Sequence, residues 1–483
     1  MGRTIRISWP ESASLDLAKP SRDAWKFGVR LVTPLFGGGP RAGQYDAVTP
    51  FAPKAIRGQL RYWWRLVAGW ALPSDPERSA VELMSLRETE IFGSAELPSS
   101  FDLMVSDVRL AGERRLNERG GYDFEKFGPE AYALFSAKQN NVGAIVREGA
   151  TFTLEVRWPS AQAFARRQGV ERKRRDELEK ARSRSKVPPL DCLDQKAVED
   201  HLRAALWAWL NLGGLGARTR RGLGSVTTEN PESSLLRDGK PRHVLPAEFI
   251  LGDPRTGARA AMEAWAAAVG VYRDFRQGFR RPPGKKGPAP GRSKWPEPDS
   301  LRRISGCALK PRPGDPRDHS APVVPEETIP GFPRAALGLP IIFHFAPGDG
   351  PDKNLPPKAF KDPADGTLNP KVRGPDGKLE TGERMASPVL TRALCVEGRW
   401  RPAIIVLRPP AALAGLLPSL EATLDIKGVD AKGRTEDKQL AVSADRIVNS
   451  AFEKLEPMQG QSNALDALLA FARMKGFQDF KGK

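Results

Sequence analysis

The fold is decided by residues 27–67, which read FGVRLVTPLFGGGPRAGQYDAVTPFAPKAIRGQLRYWWRLV. Positions 27–31 alternate between apolar residues and small or charged ones, a pattern that predicts a half-buried β-strand. From Pro53 onward, apolar residues recur every three or four positions, which predicts an amphipathic helix, and proline suits its first turn. The stretch therefore predicts a strand, a glycine-rich loop and a helix, in that order.

The hydrophobic pattern predicts four more elements in the same half of the chain. Alternating runs at 101–105 and 152–156 predict two strands, and a helix is expected from about Gln195 to a stop at Gly213. Residues 223–228 supply a last short strand. The resulting order, β-α-β-β-α-β, is that of the ferredoxin-like unit, which many RNA-binding modules use, although a fold alone does not establish a function.

The length of 483 residues predicts about two to four domains. We place one boundary near residues 230–245 and divide the chain into an N-terminal domain, 1–235, and a C-terminal domain, 236–483. The elements expected in the second domain are buried strands at 339–345 and 402–407 and closing helices at 443–455 and 462–474.

Three polar segments interrupt this plan. Residues 281–300 and 346–379 are rich in proline and glycine, and loops this long are usually functional or disordered, so we expect them to become ordered on assembly. Residues 161–190 carry ten Lys and Arg against four Asp and Glu. Because charged runs on helices are mostly exposed, this segment predicts a solvated helix.

The charge balance points to a polyanionic partner. The chain has 76 Lys and Arg against 58 Asp and Glu, a formal net charge of +18, which favours nucleic acid. Three widely spaced cysteines allow neither a disulfide framework nor a CxxC metal site, so we expect a reducing, cytoplasmic location. The longest nearly apolar stretch, 260–272, is too short to span a bilayer, and no membrane association is expected.

A basic stripe is predicted on the first helix. Its four members, spaced three, four and four residues apart, are Lys54, Arg57, Arg61 and Arg65. No acidic residue lies between Pro53 and Leu72, and the neighbouring aromatic residues 62–64 offer stacking surfaces, so the stripe favours RNA or a partner. The alternative is an amphipathic helix whose arginine stems cover its own core, with at least Trp63 buried.

A second candidate site is the Gly/Arg loop, residues 213–225, with five glycines and three arginines. Glycine lets backbone N–H groups approach a phosphate, and arginine adds charge and forked donors. The loop lacks the Lys-Ser/Thr ending of a nucleotide-binding P-loop. The expected RNA-backbone contacts are Gly213, Gly214, Gly216, Arg218, Thr219, Arg220, Arg221 and Gly222. The alternative is an ordinary helix-to-strand turn.

Signatures of catalysis are weak. The four histidines show no metal-binding spacing, and none pairs with a serine or cysteine motif. Asp46, in the loop before the basic helix, is the one carboxylate placed to meet a bound strand, but loop aspartates are more often turn or cap residues. We therefore expect no catalytic residue, no metal and no cofactor.

Several motifs together resemble the RAMP superfamily, and within it the first subunit of the Cmr complex of type III-B CRISPR effectors. In the N-terminal half the motifs are 33–39 (TPLFGGG), 56–65 (IRGQLRYWWR), 90–94 (EIFGS) and 213–225. In the C-terminal half they are 272–278 (YRDFRQG), 291–299 (GRSKWPEPD) and 384–388 (RMASP), with looser spacing.

This resemblance implies an α+β protein with two ferredoxin-like (RRM-like, βαββαβ) domains and long loop insertions. It also implies a non-catalytic, RNA-binding subunit of an antiviral ribonucleoprotein, placed near the 3′ end of the guide RNA and helping to capture target RNA. Its partners would be guide RNA, target RNA and the other Cmr subunits. The alternative is a RAMP-type ribonuclease that cuts guide precursor or target RNA, since backbone subunits of the superfamily hold their cutting aspartate in a loop that corresponds roughly to the one with Asp46.

Overall fold

The chain mixes α-helices with antiparallel sheets. The computed structural model describes residues 24–41, 43–115, 130–134, 144–181, 190–228, 236–237, 240–241, 245–277, 293–305, 330–343, 365–373, 378–408, 420–426 and 438–480. The α-helices in this part of the chain are α1 (Pro53–Val67), α2 (Ala80–Phe92), α3 (Glu130–Ala133), α4 (Ala161–Ala181), α5 (Gln195–Leu212), α6 (Ala260–Gln277), α7 (Glu297–Ile304) and α8 (Ala464–Met474). The strands are β1 (Trp25–Leu31), β2 (Asp102–Arg109), β3 (Glu113–Arg115), β4 (Ala144–Val146), β5 (Thr151–Arg157), β6 (Val226–Thr228), β7 (Leu236–Arg237), β8 (Lys240–Pro241), β9 (Ala247–Leu251), β10 (Ile341–Phe343), β11 (Gly366–Arg373), β12 (Leu379–Thr381), β13 (Val389–Val396), β14 (Arg399–Leu407), β15 (Ala422–Ile426), β16 (Lys438–Val442) and β17 (Gln478–Asp479).

The N-terminal sheet has the strand order β2-β5-β1-β6, with β1 antiparallel to both neighbours. Phe27 of β1 stands opposite Leu154 of β5, and the inward residues Val29 and Phe152 are buried. Helices α1 and α5 lie side by side and share one apolar core with this sheet. The predicted order of β1, α1, β2, β5, α5 and β6 is therefore confirmed.

The C-terminal half repeats this order of elements. Its repeated elements come in the chain order β9, α6, β13, β14, α8 and β17. Their sheet has the strand order β13-β14-β9-β17. Further chain after α6 and after β14 forms another sheet, with the path β10-β11-β15-β16 and β12 paired to β11. The strand expected at 402–407 lies within β14, and the one expected at 339–345 contains β10, with residues 344 and 345 outside the described part of the chain.

The two halves share a core. Leu390 and Leu394 of β13 and Ile405 of β14 belong to the same buried apolar cluster as Trp209 of α5. Arg392 of β13, 3% exposed, donates through Nη1 to the carbonyl of Gly213 at the end of α5, at 3.0 Å. The Gly/Arg loop therefore begins where the two halves meet.

Some boundaries differ from the predictions. Strand β6 begins at Val226 rather than at 223, because residues 219–221 form a 3-10 turn and 222–224 a further turn. The helix expected at 443–455 is instead a series of short 3-10 turns, whereas the helix expected at 462–474 is α8 and begins after the capping side chain of Asn463. The sequence pattern did not predict α2.

The segment 161–190 was wrongly predicted as a simply solvated helix. Helix α4 has an exposed face, but Arg167, Glu171 and Arg175 are buried against α2. The charged run therefore serves packing as well as solvation. Of the loops predicted at 281–300 and 346–379, residues 281–292, 346–364 and 374–377 lie outside the described residues. The loop prediction is wrong for part of the remainder, which contains the start of α7, strand β11 and the first residue of β12. None of the helices that are described is long and apolar enough to cross a bilayer.

Candidate nucleic-acid interface

The four cations of the basic stripe occupy one side of α1, as predicted. Lys54 and Arg65 are exposed, and Arg57 and Arg61 are half-buried. No acid lies near these cations in the sequence, but one lies near them in space, because α2 folds alongside α1. Its Glu88 accepts from Arg65 at 2.5 and 2.6 Å and lies 3.9 Å from Nε of Arg61. The hydrogen bond to Glu88 raises the pKa of Arg65.

The other end of the stripe opens onto a cavity of about 430 Å³. Lys54, Arg57 and Arg61 line one side, and residues 92–95 and 97–99, which follow α2, line the other. No acidic residue belongs to this lining. Nη2 of Arg61 donates to the carbonyl of Gly93, while the buried Nε of Arg57 has no acceptor among the described residues. We call this the basic pocket; its open donor suits an anionic oxygen.

The aromatic neighbours of the stripe do not provide the expected stacking surfaces. Trp63 and Trp64 are 2% and 0% exposed and belong to the core, as predicted for Trp63 but not for Trp64. Nε1 of Trp64 donates to Nδ1 of His201 at 3.3 Å. Tyr62 is half-buried, and its hydroxyl accepts from Arg220 at 2.8 Å. Two of the three rings point inward because they occupy the apolar face of α1.

A cluster of buried charges supports the far wall of the basic pocket. We call it the Glu90 cluster, and its members are Arg87, Glu90, Arg167, Glu171, Arg174 and Arg175. Oε2 of Glu90 accepts from Arg87 at 2.7 Å and from Arg175 at 2.6 Å, and Arg175 also donates to Glu171 at 2.8 Å. Burial would raise the pKa of Glu171, but the hydrogen bonds from Arg174 and Arg175 bring it below its usual value.

The Glu90 cluster holds the loop that lines the pocket. Arg167 of α4 donates to the carbonyl of Pro98 at 2.8 Å and to the carbonyl of Glu90. The hydroxyl of Ser100 donates to the same Glu90 carbonyl at 2.8 Å. The positions of residues 93–99 therefore depend on α4. The sequence analysis did not predict that α4 would hold this loop in place. The motif at 90–94 marked the start of the loop but not its partner.

The Gly/Arg loop packs against the strand-to-helix loop of residues 33–39. The backbone N–H of Gly224 donates to the carbonyl of Pro34 at 2.8 Å, and that of Ala217 to Phe36 at 2.6 Å. A Cβ on Gly222, where φ is +78°, would lie 2.4 Å from the carbonyl oxygen of Thr391. The loop therefore needs glycine to let protein backbones approach, which is the role of an ordinary turn.

The three arginines of the loop have different surroundings. Arg221 is 9% exposed and donates to the hydroxyl of Tyr272 at 2.8 Å and to the carbonyl of Val389 at 3.0 Å. Arg220 donates to the hydroxyl of Tyr62 and to the carbonyl of Ser387. Arg218 is exposed. Contacts within the protein thus account for two of the arginines, and Arg218 is the one directed to solvent.

The carboxylate of Asp46 has a local role. It accepts from the backbone N–H of Val48 at 2.9 Å and of Thr49 at 3.2 Å, and from the Thr49 hydroxyl at 2.6 Å. The bond from the Thr49 hydroxyl, followed by those from the two backbone groups, lowers the pKa of Asp46. These contacts are those of a turn or cap residue, the role that is more common than catalysis for an aspartate in a loop.

His201 is the one histidine within the described residues; His243, His319 and His344 lie outside them. Burial lowers the pKa of His201, which keeps its imidazole neutral against Trp64. In the part of the chain that is described, no group of three or more His, Cys, Asp or Glu side chains could hold a metal ion.

The N-terminal half is similar to a known protein superfamily. Residues 29–227, from β1 to β6, match the family model of the RAMP superfamily. A search of curated protein sequences finds no match. The crystal structure of apo Cmr1 from Pyrococcus furiosus is similar at 13% identity and a TM-score of 0.39, covering 80% of this chain and 88% of that one. The cryo-EM structure of the type III-B Cmr-beta bound to cognate target RNA is similar at 11% identity and a TM-score of 0.36, covering 79% and 94%. Both structural likenesses are remote, and the family match agrees with the motifs that lie inside it: residues 29–227 match the RAMP superfamily.

Proposed function

We propose that the chain is a non-catalytic, RNA-binding subunit of a type III-B CRISPR (Cmr) ribonucleoprotein in the cytoplasm. In this proposal it lies near the 3′ end of the guide RNA and helps to capture target RNA in antiviral defence. Its partners are guide RNA, target RNA and the other Cmr subunits. The RAMP match over residues 29–227 supports the superfamily, and the motif resemblance supports the more specific placement.

The observation that carries the RNA-binding role is the basic pocket. Lys54, Arg57 and Arg61 converge on one cavity whose lining has no acid, in a protein with a net charge of +18. The buried Nε of Arg57 has no acceptor among the described residues, so it is free to donate to water or to a ligand oxygen in the pocket. The phosphate backbone of RNA provides anionic oxygens at regular spacing and so fits this stripe.

The predicted contact residues have unequal parts in this proposal. Lys54, Arg57 and Arg61 form the main contact, and Arg65 adds less because Glu88 neutralises part of its charge. In the Gly/Arg loop, Arg218 and the backbone near Thr219 offer a second contact. Arg220, Arg221 and the glycines Gly213, Gly214, Gly216 and Gly222 hold the loop in shape.

We also propose that the chain consists of two ferredoxin-like domains, 1–235 and 236–483. When the strands of each half are numbered 1 to 4 along the chain, both sheets have the strand order 2-3-1-4. These sheets are β2-β5-β1-β6 and β13-β14-β9-β17. That is the strand arrangement of a βαββαβ unit with two helices packed on one side. The insertion sheet of β10, β11, β12, β15 and β16 belongs to the second domain.

Reconstitution of the complex tests the proposed function. The purified chain is mixed with guide RNA and the other Cmr subunits, and protein–RNA crosslinks are mapped with and without target RNA. We expect co-purification and crosslinks at α1 and in the guide 3′ region. Failure to join the complex would overturn the proposal. RNA cleavage by the purified chain that disappeared in Asp46→Ala would establish the alternative, a RAMP-type ribonuclease.

A further inference from the structure

Gly58 is a glycine in the interior of α1, where the fold has no evident need for one. It lies between the ends of the helix at Pro53 and Val67, and it lines the basic pocket. Glycine inside a helix is less stable than alanine, because it loses more backbone entropy on folding. A glycine at such a position is expected where a side chain would collide with a neighbouring element.

The described part of the chain places no such neighbour over Gly58. A Cβ built on its backbone would meet no atom within 4 Å outside the nearby backbone of the helix itself. By contrast, a Cβ on Gly39, in the loop before α1, would lie 2.7 Å from the backbone carbon of Tyr45, so packing within the protein requires that glycine. The space over Gly58 belongs to the basic pocket, which indicates that this glycine leaves room for a ligand.

Cations flank this space on the same side of α1. Lys54 lies one turn before Gly58, Arg57 directly precedes it, and Arg61 lies one turn after it. Arg61 is tethered across the pocket by its hydrogen bond to the carbonyl of Gly93. A ligand over Gly58 therefore has helix backbone beneath its middle and positive charge at both ends.

The cavity is several times larger than a phosphate group requires. Its volume is about 430 Å³, whereas a water molecule takes up about 30 Å³ of liquid and a phosphate group has the size of a few waters. On the wall opposite α1, Ala95 and Pro98 are exposed apolar residues. The Ser94 hydroxyl accepts from the backbone N–H of Leu97 at 3.1 Å and can also donate. Apolar surface with a few polar groups suits a nucleobase.

Resting on the proposed function, we propose that the basic pocket receives one nucleobase of the bound RNA, which lies directly over the backbone of Gly58. The phosphates on either side of that nucleotide contact Lys54, Arg57 and Arg61. Gly58 is then required by the ligand rather than by the fold, because a side chain there would occupy the space of the base.

The test fills this space without removing any charge. Gly58→Ala and Gly58→Leu are compared with Gly169→Ala and Gly169→Leu as matched controls. Gly169 lies inside α4, is exposed like Gly58, has no atom of the described residues within 4 Å of a built Cβ, and is flanked by Arg166 and Arg172. Both alanine variants should melt at or above the wild-type temperature, because alanine favours the helix.

The full-length chain and its variants are titrated with two ligands, oligouridylate and an abasic ribose-phosphate oligomer of the same length. The wild type should bind oligouridylate more tightly than the abasic oligomer. Gly58→Leu should lose on the order of tenfold in affinity for oligouridylate and little for the abasic oligomer. Its salt slope should equal that of the wild type, because every cation is kept. The Gly169 variants should match the wild type with both ligands.

The ratio of the two affinities decides the matter. The same ratio in Gly58→Leu and Gly169→Leu would overturn the inference, and the proposed function would stand if Lys54→Ala/Arg57→Ala still weakened RNA binding. Unchanged RNA binding by Gly58→Leu with loss of subunit assembly would also overturn the inference, in favour of a protein segment in the pocket. A wild type that bound neither oligomer would overturn both the inference and the proposed function.

Discussion

Replacing Glu90 by alanine should destabilise the protein by about 3 to 5 kcal/mol. The side chain is 1% exposed, and its carboxylate accepts from Arg87, from Arg175 and from the backbone N–H of Leu193. Its removal takes from Arg87 and Arg175 the carboxylate that they share, and leaves Glu171 as the remaining acid of the cluster. Loss of one partner from a buried ion pair has this magnitude because the other charge stays desolvated.

The assay is equilibrium unfolding in urea at pH 7. The matched control is Glu177→Ala, another helical glutamate, whose ion pair with Lys173 is 65% and 81% exposed and is worth about 0 to 1 kcal/mol. Because both changes replace glutamate by alanine in a helix, differences in helix propensity cancel.

A double variant sharpens this prediction. Arg175→Met in the Glu90→Ala background removes the charge left without its partner, so the double variant should be more stable than the sum of the two single losses predicts. A Glu90→Ala protein that unfolds at the same urea concentration as Glu177→Ala would refute the proposed role of the buried ion pairs.

Three further changes follow from the same contacts. Gly222→Ala should cost about 2 to 4 kcal/mol of unfolding free energy, because φ is +78° and the new Cβ meets the Thr391 carbonyl; a melting temperature equal to wild type would disprove the close approach. Arg392→Met should be neutral or stabilising in urea unfolding, since the buried cation has backbone acceptors at Gly213 and Ala393 and no carboxylate among the described residues. A loss of unfolding free energy above about 2 kcal/mol would contradict this. Glu171→Gln should be less stable than wild type at neutral pH. Because the folded-state pKa of Glu171 lies below its ordinary 4.5, the difference in unfolding free energy between the two proteins should shrink as the pH falls below 4.5. A difference that stays constant with pH would count against the ion pairs.

The elements with regular hydrophobic periods were predictable from the sequence. Helix α1 follows from the spacing of Ile56, Leu60 and Trp63, and β5 from the alternation around Leu154, because burial imposes those periods directly. Helix α2 has apolar residues scattered around its circumference, with Glu90 among the buried ones, so no clear period marks it. Its existence depends on packing against α1 and α4.

The candidate site was predictable in part. The cations of α1 were identified because they share one face of a single helix. Their acid, Glu88, comes from another helix 23 residues after Arg65, and no local pattern reveals such a pairing. For Arg221, composition predicts an exposed basic residue, whereas its contacts with Tyr272 and Val389 depend on how the two halves pack.

The central claim is that the basic pocket binds the RNA backbone, and the salt dependence of RNA affinity tests it most directly. The full chain and a Lys54→Ala/Arg57→Ala variant are titrated with single-stranded RNA, alongside the control Arg399→Ala/Lys438→Ala, which removes two exposed cations elsewhere. We predict that the pocket variant melts normally, binds more weakly, and has a salt slope lower by about 1.4, or about 0.7 for each phosphate that is no longer neutralised, while the control changes little. A pocket variant with the affinity and slope of the control would contradict the claim.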